Sequence, residues 1–233
     1  MKVLVIIPAY NEEKSIEKVI IKLQADYPKA DYLVINDCSK DNTLQVLKDC
    51  KASFLNLPLN LGIGGGVQSG YKYALQNGYD IAIQIDGDGQ HDTSYLEKVI
   101  APIVAGNADI VIGSRFIDKE GFQSSGIRRI GIRFLSMLIY LCCGTKVNDV
   151  TSGFRAVNRK YIELYANEYP VDYPEPEAIV RASLEGAKIV EMPVVMKERQ
   201  AGESSISSWK SIYYMIKVSL AIILCRIANR RKK

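Results

Sequence analysis

An α/β fold with a doubly wound, mainly parallel sheet is predicted by three observations in this 233-residue chain. Short β-branched runs alternate with amphipathic helical patterns from the first residues onward. Four of those runs are followed at once by polar clusters: Pro8–Glu12, Asp37–Asp41, Asp86–Gln90 and Ser114-Arg115. The strongest, Asp86-Gly87-Asp88-Gly89-Gln90, follows Ile81–Ile85, an apolar run that reads as a buried parallel strand. Ligands of such sheets bind beyond the carboxyl ends of the strands, so the clusters mark one edge as the site.

The elements follow in order. Val3–Ile7 is the first strand, and Glu12–Ala25 a helix with Ile16, Val19, Ile20 and Leu23 on one face. Tyr32–Ile35 is the second strand, followed by a loop rich in cap and turn residues from Asp37 to Asn42. Thr43–Cys50 is a short helix and Ser53–Leu57 the third strand. The run Gly62–Gly66 opens a helix reaching about Gln76. Glycines there suggest close backbone approach to a ligand, a flexible turn being the alternative. Their spacing and place exclude the dinucleotide fingerprint. Ile81–Ile85 is the central strand, Ser94–Ala105 a helix and Asp109–Gly113 another strand. Ile130–Cys143 is an apolar helix, expected in the core or as a wall of the site.

Ser207–Asn229 reads as one long helix with broad apolar coverage from Trp209 to Ile227. Lys217 and Ser219 interrupt it, so the roughly 20 apolar residues of a membrane span are not available. Aromatics at one end and cations at the other suit a helix lying in a membrane interface. Each basic residue would add about 1 kcal/mol near an anionic leaflet. Packing on the body or on a partner subunit is the alternative. The chain thus divides into residues 1–206 and a basic, amphipathic segment, 207–233.

Composition narrows the classes. Apolar residues make up 48%, which argues against disorder. The five cysteines show no paired metal spacing, and their odd number suits a reducing compartment. The apolar start stops at Pro8, too short for a signal peptide, so a cytoplasmic location is expected. The net charge is +4, but Arg226, Arg230, Arg231, Lys232 and Lys233 supply five positive charges, leaving 4 − 5 = −1 for the body. No basic stripe or aromatic–basic interleaving is present, so nucleic acid is not an expected partner.

Asp86 and Asp88 are two apart, and at an extended strand end they would project to one side. Two hard oxygen ligands suit Mg²⁺ or Mn²⁺, which keep open positions for substrate phosphates. His91, the only histidine, reads better as a loop residue beside that site than as a catalyst.

Together Pro8-Ala9-Tyr10-Asn11-Glu12, Asn36–Asp41, Asn60-Leu61-Gly62, Asp86–His91, Gly113-Ser114-Arg115, Asp149–Arg155 and Glu198–Ser205 resemble, in order, the family-2 glycosyltransferases. The likeness is greatest to the branch acting on dolichol or polyprenyl phosphate, and it runs from about residue 3 to 206. It implies the GT-A fold, a UDP- or GDP-linked sugar donor, Mg²⁺ or Mn²⁺, and inversion at the anomeric carbon. It also implies a lipid-linked acceptor, a polyprenyl phosphate or a lipid-linked saccharide of cell-surface assembly. The enzyme would work peripherally on the inner face of the cell membrane. An integral membrane partner and self-association are both compatible with such a C-terminal helix.

The resemblance implies roles residue by residue. Pro8, Tyr10, Glu12 and Asp37 would line the base and ribose pocket, with Asn60, Gly64 and Gly65 in the donor loop. Asp37 and Asp41 could instead cap the next helix. Asp88 would ligate the metal, with Asp86 at the ribose or the metal and Gln90 a third ligand. Arg115 could hold a phosphate bidentately. One of Arg129 and Arg133, which share a helical face, would meet an acceptor phosphate, a solvated basic face being the alternative, and Ser152 is a further acceptor-binding candidate. Arg199 would contact the diphosphate. A hydroxyl acceptor needs a base, for which Glu177 is the first candidate and Glu175 the second; a phosphate acceptor needs none. Glu177 could equally serve only to favour its helix N-terminus. The rival functions are a nucleotidyltransferase, which would normally carry a glycine-rich basic loop after strand one, and a non-catalytic nucleotide-sugar-binding subunit.

Overall fold

The computed structural model describes residues 1–123, 126–197 and 208–230. Its strands are β1 (Val3–Ala9), β2 (Asp31–Asn36), β3 (Phe54–Asn56), β4 (Ile81–Gln84), β5 (Ile110–Ser114), β6 (Arg155–Asn158) and β7 (Ile189–Pro193). They form one sheet in the order β3-β2-β1-β4-β6-β5-β7. All pairings are parallel except those of β6, which runs antiparallel between β4 and β5. β1 and β4 are buried along their whole length, which explains their continuous apolar runs.

The helices are α1 (Ile16–Asp26), α2 (Thr43–Asp49), α3 (Gly62–Gln76), α4 (Leu96–Val104), α5 (Gly126–Cys143), α6 (Arg159–Asn167), α7 (Pro174–Leu184) and α8 (Ser208–Arg230). They cover both faces of the sheet, so it divides the interior into two apolar layers. One contains Val5, Ile7 and Ile83 with α1 and α4; the other contains Leu4, Ile6 and Ala82 with α3, α5, α6 and α7. The alternation of inward faces along each strand produces this division. α1 buries the expected face of Ile16, Val19, Ile20 and Leu23.

The doubly wound, mainly parallel reading therefore holds, with differences after residue 114. β6, α6, α7 and β7 complete the sheet and its cover, although no strand stood out there. β6 is only four residues long, which leaves too few positions for a periodic pattern. α8 is more than an appendage. Val218 and Ile222 on its inner face are buried in the same core as α3, α5 and α7.

Candidate active site

The carboxyl ends of β1, β2 and β4 bring three polar loops together. Asp37 is buried just beyond β2. Its backbone N–H donates to Ala9 O at 2.9 Å. Its carboxylate accepts from Leu61 N at 2.7 Å, while Asn60 Nδ2 donates to Asp37 O at 3.0 Å. Burial raises the Asp37 carboxyl above the usual range, against the opposing effect of the Leu61 and Gly62 N–H groups. Asp37 thus anchors the loop before α3, as Asn60 does by accepting from Gly62 N at 3.2 Å. Asp41 serves the alternative role: it accepts from Thr43 N at 2.9 Å and Thr43 Oγ1 at 2.5 Å, fastening the start of α2. Pro8 ends the buried run of β1, and Tyr10 beyond it is 42% exposed at the rim. Glu12 accepts from Ser15 Oγ at 2.7 Å at the entrance to α1.

The glycine run also makes close approaches within the protein itself. Gly64 N donates to Val171 O at 3.1 Å, and a Cβ at Gly64 would fall 2.1 Å from Pro170 O. A Cβ at Gly65 would lie 2.5 Å from Leu61 Cβ. The close approach is thus to the protein's own chain, and it joins α3 to the loop that leads into α7.

β4 ends at Gln84, so Asp86 and Asp88 lie in a turn and not in an extended strand end. The expected one-sided projection from strand alternation therefore does not apply. Gly89 has φ +77°, which permits the turn. Asp88 is only 2% exposed, and its Oδ1 accepts from Gln90 N at 3.0 Å. The Asp86 side chain is one-third exposed at 34%. Gln90 Nε2 donates to Lys197 O at 3.3 Å.

His91 holds this turn. Its Nδ1 accepts from Asp86 N at 2.9 Å, so the neutral ring carries its proton on Nε2, 3.6 Å from Asp86 Oδ2. The ring stacks on Phe154 with centroids 5.1 Å apart. The loop-histidine reading is the one this geometry supports.

As a metal site, Asp88, Asp86 and Gln90 offer hard oxygen donors only. No trio of His, Cys, Asp or Glu converges among the described residues. That donor set fits Mg²⁺ or Mn²⁺ completed by phosphate oxygens, and it does not fit a closed structural metal site.

Two expectations need correction. Arg115 does not face an open groove: Nε and Nη2 each meet Asp149 at 2.7 Å, and Nη2 meets Thr151 Oγ1 at 3.0 Å. Burial works against its charge, but the Asp149 pair outweighs that and raises its pKa. Ser152 is buried, with its hydroxyl donating to Gly113 O at 2.6 Å, which leaves it no reach to an acceptor. Both residues fasten the segment from Asp149 to Arg155 against β5. Arg199 lies outside the described residues.

The two glutamates of α7 part company, because positions two apart lie about 200° around a helix. Glu177 accepts from Arg181 Nε and Nη2, both at 3.2 Å, and Arg181 also reaches Glu168 at 2.7 Å. Glu175 is half-buried, and its backbone carbonyl accepts from Arg155 Nη1 at 3.2 Å. Burial raises its carboxyl; Arg155 and its own N–H oppose that, and Asp86 adds to it.

Arg129 and Arg133 line a cavity of about 580 Å³ with Lys119, Lys146, Phe116 and Tyr140 among its walls. Phe116 lies between two guanidinium groups, Arg115 at 5.3 Å and Arg129 at 5.8 Å from its ring centre. This cavity combines cationic and apolar walls.

Gln84, Gly153 and Arg155 were not singled out as site residues, although the last two lie in a recognised motif. A Cβ at Gly153 would sit 3.0 Å from Asp86 Oδ1 and 3.1 Å from Gln84 Nε2. Both polar atoms of the buried Gln84 amide lack hydrogen-bond partners.

Known proteins share the sequence pattern and the fold of this chain. The family model for glycosyl transferase family 2 matches residues 4–165. Undecaprenyl-phosphate mannosyltransferase of Micrococcus luteus is 31% identical over 216 residues, covering 89% of this chain and 88% of that protein. UDP-N-acetylglucosamine–dolichyl-phosphate N-acetylglucosaminyltransferase of Methanococcus voltae is 31% identical over 209 residues, 81% and 83% of the two chains. Among solved structures, glucosyl-3-phosphoglycerate synthase of Mycobacterium tuberculosis with Mn²⁺, UDP and phosphoglyceric acid superposes with a TM-score of 0.68. It is 19% identical and covers 97% of this chain and 78% of that one, a likeness of fold.

Proposed function

Because this chain belongs to glycosyl transferase family 2, we propose that it moves a sugar from a nucleoside-diphosphate donor to a polyprenyl-type lipid phosphate. The observation that carries the reading is the acidic turn of Asp86 and Asp88 beside the buried Asp37, all at the carboxyl edge of the sheet. Names of relatives over most of the chain add the acceptor class: one acts on undecaprenyl phosphate and another on dolichyl phosphate.

Asp37, Asn60 and Tyr10 bound the place for the base and ribose. Asp88 would hold Mg²⁺ or Mn²⁺, with Asp86 and the Gln90 amide oxygen beside it. When bound, the ion supplies positive charge to the departing diphosphate. An acceptor phosphate oxygen attacks the anomeric carbon while the bond to the diphosphate breaks, and the diphosphate leaves with the electron pair. A phosphate monoester is already anionic at neutral pH, so the step needs no general base.

The cavity of Arg129, Arg133, Lys119 and Lys146 suits the acceptor headgroup, and its apolar walls suit the first carbons of a prenyl chain. Next to it, α5 exposes Ile130, Phe134, Met137 and Leu141, while α8 exposes Tyr213, Ile216, Leu220 and Leu224. These helices pack against each other. A paired apolar face flanked by cations supports docking on the inner membrane surface. Among the described residues no helix is long and apolar enough to cross a membrane.

The test is a panel of UDP- and GDP-sugars with Mg²⁺ or Mn²⁺, offered with either a polyprenyl phosphate or a lipid-linked saccharide. Glycosyl phosphoprenol should form with one donor. Transfer only to the saccharide hydroxyl would overturn the acceptor assignment, and nucleotidyl transfer would overturn the reaction.

A further inference from the structure

Among the described residues Arg155 is the bulkiest fully buried side chain, and the transfer step just described makes no use of it. Burying a guanidinium is costly unless it is well bonded. Its fork spans two elements. Nε and Nη2 donate to Ser152 O at 3.3 and 2.8 Å, and Nη1 donates to Glu175 O at 3.2 Å. One guanidinium thus fastens the 152–153 turn and the first turn of α7 to each other.

One of the two fastened pieces touches the acidic turn. Gly153 lies so close to Asp86 that a Cβ there would come within 3.0 Å of its carboxylate. The loop that leads into α7 is held to α3 by the Gly64–Val171 hydrogen bond. The first turn of α7, which carries Glu175, is therefore joined through Arg155 to the Gly153 turn that touches Asp86 at the end of β4. Glu177, on the opposite face of α7, is paired with Arg181.

We propose that Glu175 recognises a hydroxyl of the transferred sugar, with Arg155 as the positioning residue that holds its helix turn beside Gly153 and Asp86. The inference rests on the nucleotide-sugar reading and adds to it the group that selects the sugar. A carboxylate accepts hydrogen bonds only, so it favours a donor sugar with a hydroxyl at the contacted carbon. A site built to bond a hydroxyl discriminates strongly against the analogue that lacks it.

The experiment compares the preferred nucleotide sugar with its single-deoxy analogues in the wild type, Glu175→Ala and Glu175→Gln, using the full chain. In the wild type, one deoxy analogue should lose about 100-fold or more in kcat/KM. Glu175→Ala should lose a similar factor with the parent donor and show no further loss with that analogue. The nucleoside diphosphate alone should bind wild type and variants within about twofold. Arg155→Lys should lower kcat/KM for the parent donor and weaken discrimination against that analogue. Wild-type selectivity retained by Glu175→Ala overturns the assignment, as does equal weakening of nucleoside diphosphate and nucleotide sugar. Absence of turnover by the wild type with every donor overturns the nucleotide-sugar reading as well, so the two failures are distinguishable.

Discussion

Asp88 is nearly fully buried in a turn whose other carboxylate is partly exposed, a division of labour that fits one metal ligand and one group at the donor. Asp88→Asn should reduce transfer by about 100-fold or more, the scale of several kcal/mol of lost charge stabilisation. The thermal midpoint, measured alongside, should stay near that of the wild type. His91→Phe preserves the stack on Phe154 but removes the acceptor of Asp86 N. A buried donor left unsatisfied costs about 1–3 kcal/mol, which urea unfolding would show as a lower midpoint. Asp92 gives a pH signature. Burial alone would raise its carboxyl, but Lys22 and the N–H and hydroxyl of Ser94 outweigh that and bring it down to about 2. Its folded pKa lies below its ordinary value, so its stabilisation is present above about pH 4 and is lost as pH falls toward 2. Asp92→Asn should therefore flatten the acid limb of stability and cost about 1 kcal/mol at neutral pH after solvent screening. At this scale the sequence displayed Asp37, Asp86 and Asp88 because they stand directly after strands. It concealed the partners of Arg115 and Ser152, since Asp149 and the Gly113 carbonyl are 34 and 39 residues away along the chain.

Among the elements, α3 shows how a recognised motif can have a packing cause that its own residues do not display. Three glycines near the start of a helix suggest a ligand, yet Gly64 is small because α3 touches the carbonyls of Pro170 and Val171. Helix propensity alone predicts that Gly64→Ala stabilises by about 1 kcal/mol. The steric contact predicts the opposite, a loss of about 2 kcal/mol or more, because the obstacle is backbone and cannot rotate away. Chemical denaturation decides between them, with Gly78→Ala as a comparison in which φ of +70° but no neighbour within 4 Å opposes the change. β6 was illegible for a related reason. Its four residues are specified by pairing with β4 and β5 on both sides, information that does not reside in its own pattern. The reach of Arg155 from β6 to α7 became visible only once that pairing was in place.

At the scale of the whole molecule, charge and apolar surface are segregated. The body is nearly neutral by composition, while cations line the cavity beside α5 and gather at the C-terminal end. Exposed apolar residues of α5, Met137 and Tyr140, belong to the wall of that cavity, and α8 packs against α5. The sequence pointed to α8 as an interfacial helix, but it did not show that α5 packs against it, because that contact joins segments far apart in the chain. Binding to vesicles with anionic lipid should exceed binding to neutral vesicles. Leu220→Ser with Leu224→Ser should release the protein from both, as measured by co-sedimentation. The account nevertheless stands or falls on the acidic turn. Its most direct test is calorimetric titration of UDP and GDP with and without Mn²⁺, in the wild type and in Asp88→Asn. One nucleotide should bind the wild type at least about tenfold more tightly with the metal, a difference of about 1.4 kcal/mol, and Asp88→Asn should erase that difference. Equal affinity with and without metal, or an undiminished metal effect in Asp88→Asn, would contradict it.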